Sequence, residues 1–312
     1  MLTICLLYII ILKIIIGNYG RSMPCVRISV MKKYYRICEK LICIEADCFP
    51  GNNPQWEQFE ADGNNADINV TCKISETFPE ASDAVKSGEF VVSVDGETVL
   101  REFPMGNTKG ALTRYSFSDS SKSETLFTQK SFSIMMDNRY MWASISLAQL
   151  LLAHNAFFIH SSFISVNGKA ILFSAPCGTG KSTQAALWEK HRGAEIINGD
   201  KTGVLVENGV YACGAPFCGT SGICKNKTLP LGAIVLLGQS KTNSIKRLSG
   251  IDALQKVLQN IYLDLIAPNE QKMIVDLLIE LLKTVPVYSL ECTPDENAVI
   301  LLEKTLLDGG VF

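Results

Sequence analysis

A chain of 312 residues has enough apolar content to bury one large core or two smaller ones. Its 29 Lys and Arg against 31 Asp and Glu leave a formal net charge of −2, which excludes the basic footprint of a nucleic-acid-binding protein. Eleven cysteines include no C-x-x-C pair and the three histidines complete no zinc-ligand spacing, so reduced thiols of a cytoplasmic protein are expected.

Residues 2–16 are almost wholly apolar, interrupted by Lys13, and fall short of the ~20 residues a spanning helix needs. No basic stretch precedes this run and no small-residue cleavage site follows it. Residues 1–30 are therefore expected to be either sequence upstream of a start at Met23 or Met31, or a short hydrophobic leader. The protein is expected to stay off membranes unless residues 2–16 are a genuine anchor.

Residues 31–139 read as a β-rich N-terminal region. Phe90–Val94 and Thr98–Phe103 flank Asp95-Gly96, a favoured hairpin turn. Further short strands are predicted at Thr113–Phe117, Glu124–Phe127 and Phe132–Met136, with Gly51–Asn69 as a polar loop. This region offers no catalytic constellation, and its role is expected to be shaping substrate entry. Residues 140–312 form the second predicted unit. Tyr140–His154 changes to helical period through Trp142, Ile145, Leu147, Leu150 and Leu151. Phe157–Val166 and Ala170–Phe173 are then two apolar strands joined by Asn167-Gly168, a two-residue hairpin.

The second strand of that hairpin runs into Ala175-Pro176-Cys177-Gly178-Thr179-Gly180-Lys181-Ser182-Thr183, followed by a helical pattern to Lys190. Strand, glycine turn and helix make the sequence form of a P-loop, with Ala175 where the pattern has its first glycine. Glycines let backbone N–H groups converge on a phosphate, and the helix behind adds unpaired donors and the positive end of its dipole. Lys181 would neutralise β- and γ-phosphates, and Ser182 would ligate magnesium. ATP and Mg2+ are the expected cofactors. In ordinary parallel P-loop sheets this strand belongs to a βαβ unit; a hairpin here requires a mixed sheet.

Ala194–Ile197 reads as a buried strand ending at Asn198-Gly199-Asp200, where a carboxylate would serve as metal ligand or as base. Thr202–Glu207 and Gly209–Cys213 predict a further hairpin. Gly214–Gly222 is expected to be a flexible segment near substrate, with Lys225 and Lys227 as open candidates for contacting it. Leu231–Leu237 is a buried strand, Asp252–Leu265 and Lys272–Lys283 are amphipathic helices, Val287–Glu291 is a strand, and Pro294-Asp295-Glu296 opens a last helix.

On His160-Ser161, the Asn167-Gly168 hairpin, the loop Ala175–Ser182, Gly193 and the Asn198-Gly199-Asp200 turn, the chain resembles the HPr kinase family and, more widely, kinases with the PEP-carboxykinase-like fold. The resemblance covers about residues 155–240 and leaves 31–150 outside it. It implies an α/β mixed-sheet P-loop fold, with His160 and Asp200 joining Lys181 as catalytic residues and Asp200 joining Ser182 on the metal. Gly199 stands where that family has the first of two aspartates, and its Glu-Ile-Arg-Gly-type signature has no counterpart. Asn-Gly-Asp and Gly-x-Pro-Phe segments are similar to HPr-kinase-related proteins found with ribosomal peptide-modifying genes. That resemblance implies an ATP-dependent serine kinase acting on a peptide or small protein. The rival reading is an ATP-binding accessory protein of such a pathway that transfers nothing. A third reading is a small-molecule kinase or a carboxykinase, the latter disfavoured because no His/Lys metal-ligand set is visible. The oligomeric state is left open.

Overall fold

In a computed structural model, the described residues are 30–312 apart from 48, 50–53, 81–82, 89, 107, 136–139 and 264–265. The expectations for residues 2–16 and for a start at Met23 lie outside them, as do Met136 and Leu265 at the ends of two predicted elements.

The N-terminal region opens with a hairpin, β1 (Met31–Ile37) and β2 (Lys40–Ala46), turned by Cys38 and Glu39 at φ 51° and 60°. A short helix α1 (Pro54–Glu57) interrupts the predicted loop, and β3 (Ile68–Ile74) follows. Then come β4 (Val85–Ser87), β5 (Phe90–Asp95), β6 (Thr98–Met105), β7 (Thr108–Ser116) and β8 (Lys122–Phe127). They form one eight-stranded sheet in the order β1-β2-β3-β8-β7-β6-β5-β4, parallel at β2–β3 and β3–β8 and antiparallel elsewhere. The Asp95-Gly96 hairpin is present, with Asp95 opposite Thr98.

Two elements differ from expectation. Phe132 and its neighbours lie on a helix, α2 (Gln129–Met135), and not on a strand. The reason is local: Thr128 and Ser131 cap each other reciprocally, each backbone N–H donating to the other's hydroxyl at 2.9 and 3.0 Å. The single helix expected over Tyr140–His154 is two, α3 (Met141–Ser144) and α4 (Leu147–Leu152), broken where Ser146 turns left-handed at φ 56°.

The second sheet holds β9 (Ala156–Val166), β10 (Lys169–Ser174), β11 (Glu195–Asn198), β12 (Lys201–Val206), β13 (Val210–Cys213), β14 (Thr228–Gln239), β15 (Ser244–Leu248) and β16 (Val287–Cys292). Its order is β10-β9-β12-β13-β14-β16-β15, with β11 on β9 and β10 also on β14. β9 and β10 are antiparallel around Asn167-Gly168, both left-handed, while β10–β14 and β14–β16 are parallel. The mixed sheet predicted from that hairpin is what forms.

Helices cover both faces of this sheet: α5 (Lys181–Arg192) and α8 (Glu296–Asp308) on one, α6 (Gly250–Leu258) and α7 (Pro268–Thr284) on the other. β10 shows why. Ala170 and Leu172 join the core under α6 and α7, and Ile171 and Phe173 join the core under α5 and α8, as the period of two demands. A strand buried on both faces must be apolar throughout, which Ala170–Phe173 is. A third core lies between the first sheet, α3 and α4, and reaches Phe158, Cys213 and Phe217 of the second half. No helix among the described residues is long and apolar enough to cross a membrane.

Candidate active site

The site lies where β10 and β11 end, beside His160 in the middle of β9. β10 delivers the chain into the loop 175–180, and α5 starts at Lys181. Gly178 and Gly180 take φ 78° and 118° with open space where a β-carbon would stand, so the loop turns where only glycine is unstrained. Pro176, Cys177 and Gly178 are exposed, and Ser182 and Thr183 are exposed on the first turn of the helix. Ala175, in the place of the pattern's first glycine, is buried in the core beneath α5. Its methyl group therefore packs inward and leaves the loop's outer face clear. Lys181 folds back over the loop, its Nζ donating to the Ala175 and Pro176 carbonyls at 2.8 and 3.2 Å. Gln239, at the end of β14, braces the loop by donating to the Gly178 and Thr179 carbonyls at 3.3 and 3.4 Å.

Asp200 sits in the turn after β11. Asn198 makes that turn rigid: fully buried, it donates to the Ala215 carbonyl at 2.7 Å and accepts from the Asp200 N–H at 3.1 Å. The Asp200 carbonyl accepts from Ser161 N at 3.0 Å, which ties the turn to β9. Its carboxylate then has two neighbours. Oδ2 pairs with Lys201 Nζ at 3.0 Å, and Oδ1 lies 4.0 Å from His160 Nδ1.

His160 is held at the backbone on two sides. Its N–H donates to the Asn260 carbonyl at 2.9 Å and its own carbonyl accepts from Ser174 Oγ at 2.6 Å. Burial pushes its imidazole below the ordinary histidine range; Lys201 adds to the shift, Asp200 opposes it, and Lys181 adds again. Both lysines therefore act on one imidazole. Lys181, His160 and Asp200, predicted from distant stretches of sequence, belong to one electrostatic cluster.

Sequence reasoning missed three members of this cluster. Lys201 Nζ stands 4.5 Å from the centre of the Tyr262 ring and 5.1 Å from that of Phe217, a cation held between two aromatic faces and a carboxylate. Tyr262 also meets His160 edge-on at 5.5 Å. It gets there because the chain after α6 runs along the edge of β9, with Tyr262 N donating to the Phe158 carbonyl at 2.8 Å. The signal for Lys201 was its place beside Asp200 opposite His160 in register; nothing local announces Tyr262.

The segment expected to be flexible is strapped down. Gly214 through Cys218 are buried, Gly219–Ser221 form a 3-10 turn, and Cys218 is disulfide-bonded to Cys224, with Cα atoms 5.0 Å apart. This pair corrects the expectation that every cysteine is a free thiol. Lys225 and Lys227 both pair with Glu195, at 2.8 and 2.7 Å, and hold its carboxyl below the usual range. The strap also explains Gly199, where a β-carbon would lie 1.9 Å from Ser221 Oγ.

No protein-family model matches the chain, and no curated protein does. Among solved structures it matches that of the Hpr(Ser) kinase/phosphatase from Coxiella burnetii, with 12% identity, over 49% of this chain and 95% of that one, at a TM-score of 0.28. So distant a likeness leaves the functional reading to the geometry of the site.

Proposed function

We propose that the chain is an ATP-dependent phosphotransferase that moves the γ-phosphoryl group to a hydroxyl, that of a serine in a peptide or small protein. The observation that carries this reading is that His160, Asp200 and Lys201 meet beside Ser174, the last strand residue before the glycine loop, with the Lys181 charge acting on the same imidazole. The loop N–H groups and the N-terminus of α5 suit a triphosphate, and Lys181 needs only to leave the Ala175 and Pro176 carbonyls to meet it. Ser182 and Asp200 are the groups that would hold magnesium, an ion commonly bound through one or two carboxylates plus substrate phosphates. When bound, it would neutralise charge on the transferring phosphoryl group.

The acceptor oxygen would form its bond to the γ-phosphorus as the bridging bond to the β-phosphate breaks. Where Asp200 is not on the metal, its carboxylate would take the hydroxyl proton; where it holds the metal, the proton would leave to solvent. His160, kept neutral by its surroundings, would orient the Oδ1 side of that carboxylate, and Lys201 would pair with the Oδ2 side. Positioning and charge neutralisation carry most of such a reaction. One observation favours the rival, an ATP-binding accessory protein without transfer: Ser221 fills the space a second carboxylate at position 199 would need.

The test is mass spectrometry of candidate peptides incubated with Mg-ATP and either wild type or Asp200→Asn. A gain of one phosphate with wild type alone is expected. Tight ATP binding with no phosphorylated product would transfer the assignment to the accessory role.

A further inference from the structure

Asp200 and Lys201 also form part of the wall of a cavity of about 730 Å3. Its other walls come from the strap (Phe217, Thr220), from Tyr262, and from the N-terminal region through Ile134 on α2. The described lining contains no residue of the loop 175–183, so a ligand here can reach Asp200 without displacing that loop. A second cavity, about 430 Å3, shares Lys201, Phe217 and Tyr262 with the first and continues toward Phe90 and Trp142. Both volumes fall in the range of about 300–1,000 Å3 usual for ligand sites.

We propose that the larger cavity is the acceptor site, and that it selects a hydroxyl flanked by an aromatic or branched apolar group. The fate of the hydroxyl rests on the phosphotransfer reading; recognition of the flanking group does not. Asp200 and Lys201 neutralise one another at 3.0 Å, so the inner wall offers a charged ligand group no net attraction. Besides the polar Gln55, Ser133 and Thr220, the lining offers aromatic and apolar groups. Tyr262 and Phe217 lie on the Lys201 ammonium, with ring centroids 6.1 Å apart, and Phe217 is fixed from behind by Phe158 at 5.1 Å. Rings so held give a flanking aromatic group a stacking or edge contact without first having to be ordered. The hydroxyl next to that group then faces Asp200. Two sources share this chemistry: a serine followed by an aromatic residue in a peptide, and a free aryl alcohol.

Ligand-observed NMR on the full chain without nucleotide tests the site, using acetyl-Ser-Phe-amide, acetyl-Ser-Gly-amide and 2-phenylethanol as probes. The phenylalanine peptide is expected to bind roughly tenfold more tightly than the glycine peptide, from burial of one ring. Thr220→Trp, which adds bulk at an exposed position of the lining, is expected to erase that preference while Mg-ATP affinity stays as in wild type, and Tyr262→Leu, which removes one aromatic wall, is expected to erase the preference too. The peptide outcompeting 2-phenylethanol would assign the peptide source, and the reverse order the free alcohol; both orders support the site. Equal binding of the two peptides, or undiminished selectivity in both variants, would overturn it. Selective binding with no phosphate transferred on adding Mg-ATP would instead remove the phosphotransfer reading and leave the site standing.

Discussion

Gly199 and Ser221 are in mutual exclusion: a β-carbon at 199 would stand 1.9 Å from the Ser221 hydroxyl oxygen and 2.8 Å from its Cβ. Ser221 is kept there by its own bond to the Cys218 carbonyl at 2.7 Å and by the Gly199 N–H donating to the Ile223 carbonyl at 3.2 Å. Position 199 is thus without a side chain where the strap packs on the turn, and any side chain placed there would have to displace Ser221.

Gly199→Asp is therefore expected to lower stability by about 1–3 kcal/mol, the usual penalty for forcing atoms into a filled site. Ser221→Gly in the same chain should recover much of that loss, because it removes the obstructing hydroxyl and Cβ. Urea unfolding of wild type, both single variants and the double variant forms the cycle. Additive effects would mean that the two residues do not compete for one space.

Much of the site was legible because its signals are local. The Asn167-Gly168 turn, the alternation along β10 and the glycine loop each lie within a few residues of what they determine. What stayed hidden was long-range or depended on a cap. Tyr262 enters the site only because its segment lies along β9, and Lys201 becomes more than a surface charge only once Phe217 and Tyr262 surround it. The apolar pattern of Phe132–Met136 fits a strand, yet the Thr128–Ser131 cap turns its described residues into helix. Ser161, Ser162 and Ser174, polar residues in apolar strands, are buried among the strands that carry the site.

Lys181→Ala should leave the fold intact, since among the described residues the ammonium bonds loop carbonyls, and should weaken Mg-ATP binding by roughly 10- to 100-fold, the worth of a charged hydrogen bond. Titration of a fluorescent ATP analogue against both proteins measures it. Equal affinities would remove the phosphate-loop assignment.

The Cys218–Cys224 bond closes a short loop against the Asp200 turn, and Gly219 packs with its would-be β-carbon 2.7 Å from Asp200 Cβ. Opening that loop with Cys224→Ser is expected to cost about 2 kcal/mol, toward the low end for a disulfide because the loop is short. Amide exchange at Gly199, Asp200 and Lys201 should speed up in the variant and in wild type treated with a dithiol. Unchanged protection at those three amides would show that the turn holds itself without the strap.

His160 supplies a pH signature. Its imidazole is depressed below the ordinary value of 6.5, first by burial and then by Lys201, with Asp200 opposing. Between that depressed value and about 6.5 the unfolded chain binds a proton that the folded chain refuses, so stability rises with pH across this window and falls as the solution is acidified through it. Above about 6.5 both states are neutral at this residue and the effect is gone. The side chain is 41% exposed, so solvent screening keeps the effect modest and the comparison has to be made against a variant. His160→Gln keeps a hydrogen-bonding side chain and cannot titrate. Urea midpoints at about pH 7.5, 6.5 and 5.5 should fall more steeply for wild type than for His160→Gln. If the two lines run parallel, the imidazole is protonated as easily in the folded chain as in the unfolded one, and the orienting role given to its neutral form at Asp200 fails with it.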